Sequence, residues 1–152
     1  LERRKAAAAR RWNHGCFLAA WVAWSLQPWR VGTEEVTLVE FANSHAYILD
    51  ECGFLEWLPE NLHVYAVFEH FADQIWSIGR HRYSARRICE GMRWEHEVRS
   101  KDEYKISNSV TSYLGRLYVL RHPTRLDFFT YQIKDGRDFK AYVSMLVGTG
   151  QL

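Results

Sequence analysis

Apolar residues recur at three- and four-residue spacing over residues 62–78, LHVYAVFEHFADQIWSI, where Val64, Tyr65, Val67, Phe68, Phe71, Ala72, Ile75 and Trp76 share one side of a 3.6-residue period. The pattern predicts a helix, with Gly79 as its C-terminal stop. Ser84 then caps a second helix. Its apolar positions are Ala85, Ile88, Cys89, Met92 and Val98, and its other face carries Arg86, Arg87, Glu90, Arg93 and Glu97. A polar bridge, SKDEYKIS, leads to a third helix capped by Ser107 or Asn108. There Val110, Tyr113, Leu114, Leu117 and Tyr118 point inward, and His122-Pro123 ends it.

Beyond Pro123 the period changes to two. Phe129, Tyr131 and Ile133 alternate up to Asp135-Gly136, and Phe139, Ala141 and Val143 alternate after it. Asp-Gly between alternating apolar runs predicts a β-hairpin over residues 126–147; a helix over 138–147 is the alternative, and it removes the hairpin. Upstream, Thr33 is an N-cap candidate for a helix carrying Val36, Val39, Ala42, Ala46, Ile48 and Leu49, although EVTLVEF alone also reads as a strand. Gly53 closes this stretch, and LEWLPEN is a short helical turn ending near Pro59. The first 14 residues form an Ala-rich, Arg-flanked helix, and an apolar run follows that stops before Pro28. That run is shorter than the roughly 20 residues that span a bilayer and has no signal-peptide cleavage site in place. The expected fold is therefore mainly α: a helical bundle containing a helix-turn-helix-like pair, with a wing-like C-terminal β-hairpin. Residues 1–30 are read as a basic, aromatic helical arm and residues 31–152 as one mostly helical domain.

The net charge of +2 over 152 residues hides a strong segregation. Residues 31–78 hold nine acidic residues and no Lys or Arg, whereas residues 79–125 hold eleven Lys/Arg against five acids. Segregated charge makes separate fields, and fields select partners. The basic stretch coincides with the predicted helix pair, so double-stranded DNA is the leading partner. Arg80, Arg82, Arg86, Arg87 and Arg93 straddle the backbone in this reading, beside Lys105. Asn108, Ser109, Thr111, Ser112 and Arg116 present the third helix to the bases, and Arg137, next to Lys134, sits at the wing tip. The alternative is a protein-binding inhibitor of host machinery, such as a nucleic-acid-binding defence complex, acting through Glu34, Glu35, Glu56 and Glu60. A homodimer joining the acidic and basic segments is a third arrangement.

No residue set identifies an enzyme. His beside carboxylates occurs in EHF and RWEHE, but neither matches a zincin or a nucleophile elbow, and no phosphate-cradling Gly loop exists. Three cysteines, Cys16, Cys52 and Cys89, have no metal-ligand spacing, and their odd count argues against a disulfide framework. The expectation is a non-enzymatic protein with no cofactor and no metal, located in a reducing bacterial cytoplasm and not in a membrane.

The motifs YSAR (83–86), RW (93–94), KISNS (105–109), GRLYVLRHP (115–123) and DFF (127–129) together resemble a group of small, largely uncharacterised proteins encoded by bacteriophages and prophages. The resemblance spans roughly residues 54–131. Ser107 and Ser109 stand where that group tends to have Asn, and Gly115 where it tends to have Ala. The resemblance implies a helical fold and a phage origin, and with it regulation of transcription or inhibition of host machinery.

Overall fold

The structure is a computed structural model that describes residues 29–31, 34–99 and 106–152, with the backbone alone for residues 29–31, 34–36 and 99. The N-terminal helix expected over residues 1–14, the apolar run after it, Thr33, Lys101 and Lys105 lie outside the described residues.

Strands β1 (Trp29–Val31) and β2 (Glu34–Val36) pair antiparallel with Trp29 opposite Val36. Thr37 then opens α1 (Leu38–Ser44) through a full capping box: its hydroxyl accepts from the Glu40 amide and the Glu40 carboxylate accepts from the Thr37 amide. The helix start is therefore Thr37. The EVTLVEF run is split, its first residues extended and its last helical. Two short helices follow, α2 (Ala46–Leu49) and α3 (Phe54–Trp57), and a 3-10 turn over Leu58–Glu60 joins them to α4 (Leu62–Ser77). Next come α5 (Ala85–Arg99) and α6 (Asn108–Arg121), within two residues of the ends that periodicity predicts. Ser107 caps α6, accepting from the Val110 amide.

Helix α6 is the centre of the fold. It is buried continuously from Tyr113 to Leu120 and packs against α2, α4 and α5. A helix with apolar contacts on every side belongs inside a bundle, not on its surface. Its Gly115 makes the α5 crossing close: a Cβ there would lie 3.3 Å from the Ala85 Cβ and 3.3 Å from the Phe129 ring. Around α6 the aromatic supply is spent on core packing. Phe68, Tyr118, Phe128 and Phe129 form one cluster, with the Phe128 and Phe129 rings 4.5 Å apart.

The expected C-terminal hairpin is not formed. Asp135 and Gly136 do adopt the left-handed backbone of a tight turn (φ 52° and 73°), but a single bridge between Lys134 and Arg137 is all that flanks it. Asp138 then accepts from the Ala141 amide and starts α7 (Phe139–Gly148), so the wing-like element is absent. The physical reason lies in burial. Phe139, Val143 and Leu146 are buried at helical spacing, whereas Ala141, which continues the two-residue alternation, is exposed. Helix α7 is held on the bundle by His45, whose Nδ1 is 3.0 Å from the Tyr142 hydroxyl. No helix among the described residues is long and apolar enough to cross a membrane.

Candidate nucleic-acid interface

The connection from α4 to α5, residues 78–84, is exposed but pinned. The Tyr83 amide donates to the Phe128 carbonyl at 2.8 Å, and Ser84 accepts from Arg87 and Ile88 at the start of α5. Arg80, Arg82, Arg86 and Arg87 are all exposed on this segment. Arg86 pairs with Glu90 at 3.0 Å on the helix surface, an i,i+4 contact. Arg80, Arg82 and Arg87 have no ion-pair partner among the described residues. Arg82 lies close enough to Asp127 to help hold that carboxyl below its ordinary range, after the larger effect of Lys140, which donates to Asp127 at 2.6 Å.

The remaining expected contacts divide into two groups. Asn108, Ser109 and Ser112 are exposed on the first turns of α6. Thr111 and Arg116 are buried, which removes both from any surface readout. The Thr111 hydroxyl donates back to the Ser107 carbonyl, and the Arg116 guanidinium donates to the Ile48 and Gln132 carbonyls while lying 5.0 Å over the Tyr113 ring. Arg93 is half-buried and donates to the Ile106 carbonyl, tying the chain entering α6 to the last turns of α5. Arg137 and Lys134 both reach Glu51, at 3.7 Å and 3.2 Å, and Arg137 also donates to the Tyr47 carbonyl. They hold the C-terminal segment onto the bundle instead of projecting from a wing.

The two surfaces expected to act together are also apart. Ala85 lies beside Gly115 and Arg93 beside Ile106, so α5 and α6 run antiparallel. The arginines therefore gather at one end of α5 and the Ser/Asn turn of α6 at the other, separated by roughly 12 Å of helix rise. An antiparallel helical hairpin differs from the roughly 90–120° crossing of a helix-turn-helix.

Of the acidic residues, Glu56 and Glu60 are exposed, and the side chains of Glu34 and Glu35 are not among those described. Three other acids face inward, and sequence reasoning missed them. Glu69 is 1% exposed and accepts from Arg121 at 2.8 Å, with His122 Nε2 2.9 Å from its other oxygen. Asp73 accepts from the Tyr118 hydroxyl and from Arg125. Glu51 accepts from the Tyr113 hydroxyl as well as from Lys134; the Tyr113 bond first, then the cations, hold its carboxyl below the ordinary range. The available signal was position. Tyr65, Glu69, Asp73 and Trp76 repeat at four- and three-residue spacing inside the apolar face of α4.

Among the described residues no group of three or more His, Cys, Asp or Glu comes together as a metal site. The chemistry this surface can offer is electrostatic: guanidinium groups on a pinned, exposed segment are able to donate to an anion. Comparison of the chain with protein-family models, with curated proteins and with solved structures finds no match to any of them.

Proposed function

We propose that the protein is a non-enzymatic DNA-binding protein that contacts the phosphate backbone of duplex DNA through Arg80 and Arg82. The observation that supports this is the contrast among its cations. Those of residues 116–137 are taken up by carboxylates, carbonyls and rings of the fold, while Arg80 and Arg82 are exposed and without an ion-pair partner among the described residues. Backbone contact of this kind is insensitive to sequence, because base edges are not read. On this reading the protein works in the cytoplasm of a bacterial host, as the resemblance to phage-encoded proteins implies.

The test is a mobility-shift titration with mixed-sequence duplex at two salt concentrations, comparing the protein with Arg80→Glu/Arg82→Glu. Both arginines sit on the surface, so the fold tolerates the change. The expected result is binding that weakens with salt and a variant whose log–log salt slope is shallower by about 2, close to 0.9 for each phosphate no longer neutralised. Absence of duplex binding at low salt, or a variant with unchanged slope and affinity, rejects the reading.

A further inference from the structure

The basic segment between α4 and α5 has a carboxylate for a neighbour, and that carboxylate already holds another cation. The Arg80 amide donates to the Ile75 carbonyl at 3.3 Å, just past the left-handed Gly79 (φ 86°), and the Tyr83 amide donates to the Phe128 carbonyl. These two bonds fix the backbone that carries Arg80 and Arg82. The second also sets Arg82 near Asp127, close enough for their charges to interact. Asp127 is exposed and accepts from Lys140, in the first turn of α7, at 2.6 Å. The Asp127 and Lys140 side chains keep 69% and 48% of their surface in water. Lys140 therefore stands on the same surface as Arg82, although it comes from the far end of the chain.

Resting on the duplex-binding reading of Arg80 and Arg82, we propose that Asp127 is a built-in competitor of DNA phosphate, withholding Lys140 from the duplex and weakening the contact of Arg82. Carboxylate and phosphate oxygens are the same kind of acceptor for an ammonium or guanidinium group. Parting Lys140 from Asp127 is itself cheap, because an ion pair between exposed side chains contributes little. The obstacle is the carboxylate left behind, which then faces the phosphates with a charge of their own sign. While Asp127 is ionised it cancels one of the two positive charges beside it, so the trio releases fewer counterions from the duplex than two free cations would. Lys140 is thus a third phosphate contact held in reserve, and Asp127 sets how tightly this surface binds.

Mobility-shift titrations of the full chain with mixed-sequence duplex at several salt concentrations test it, using Asp127→Asn, Asp127→Asn/Lys140→Ala and Glu60→Gln. Glu60→Gln makes the same change of net charge at an exposed site before α4, whereas Arg80 follows that helix. The 16 residues of α4 put roughly 24 Å between them, well beyond the screening length. All the changes are on exposed side chains, and circular dichroism checks that each variant is folded. Asp127→Asn is expected to bind roughly threefold or more tightly at low salt, with a log–log slope steeper by about 0.9. Its advantage over the parent then shrinks by roughly three- to fourfold between 50 and 200 mM salt. Glu60→Gln should match the parent, and adding Lys140→Ala should return the slope to the parental value. An Asp127→Asn protein that binds no better than Glu60→Gln overturns the proposal while leaving the duplex reading standing, and so does a gain that survives Lys140→Ala. A parent that binds no duplex, or whose binding ignores Arg80→Glu/Arg82→Glu, rejects the duplex reading itself and the role of Asp127 with it.

Discussion

Glu69 sits within the apolar face of α4 and is 1% exposed, with Arg121 at 2.8 Å and His122 Nε2 at 2.9 Å on its two oxygens. Burial works to lower the Arg121 pKa, but Tyr65 and Glu69 outweigh it and the guanidinium is held above its ordinary value. Such a pair adds little net stability over apolar residues of the same volume, because both charges were taken out of water. Breaking it from one side is expensive, since the remaining charge is left buried. Glu69→Ala is expected to lower the unfolding free energy by about 3–5 kcal/mol in urea titrations. The double replacement Glu69→Met/Arg121→Met recovers more than half of that loss. A double variant as unstable as the single would show that Arg121 contributes through contacts other than Glu69.

At the scale of elements, the close crossing of α5 over α6 depends on Gly115. Alanine is the better helix former by about 1 kcal/mol. Its methyl would meet Ala85 and the Phe129 ring at 3.3 Å each, and Phe129 is fixed in the aromatic core. Gly115→Ala is therefore expected to be destabilising, by about 1 kcal/mol net once the propensity gain is subtracted from the overpacking cost. Adding Ala85→Gly at the first position of α5 relieves one of the two close approaches and recovers part of it. Thermal melts of the three proteins decide this, and a Gly115→Ala variant that melts higher than the parent would refute it. Helices α4, α5 and α6 were legible in the sequence because each carries a long apolar period with a capping residue or a glycine stop at an end. Helix α7 was not. Over five residues Phe139, Ala141 and Val143 satisfy a two-residue alternation, while Phe139, Val143 and Leu146 satisfy a helical one, and only tertiary burial distinguishes them. The capping signal Asp138 was present, but the Asp135-Gly136 turn before it read as the centre of a hairpin.

For the whole molecule, the segregation of charge along the chain becomes pairing within it. Glu51, Glu69 and Asp73 of the acidic stretch meet Lys134, Arg137, Arg121 and Arg125 from the later part of the chain. Charge counted by segment could not show this, because it treats each stretch as a surface of its own; Arg80 and Arg82 are exposed and have no ion-pair partner among the described residues. Glu51 is the member of this set that holds the Asp135-Gly136 turn, and through it the approach to α7. Glu51→Gln keeps an acceptor for Tyr113 and removes the attraction for Lys134 and Arg137. Ion pairs this close to solvent are worth about 0.2–1 kcal/mol, so amide exchange in Phe139–Gly148 should speed up by roughly two- to fivefold, with exchange in α4 and α6 unchanged. The effect carries a sign in pH. Glu51 has a folded-state pKa below its ordinary 4.5, so it contributes stability above 4.5, and that contribution is lost as pH falls through the folded value. The ratio of variant to parent exchange rates, which cancels the intrinsic pH dependence of exchange, should therefore be constant near neutrality and fall towards one in acid. A ratio of one at neutral pH would mean that His45 and the buried face of α7 hold the segment without Glu51.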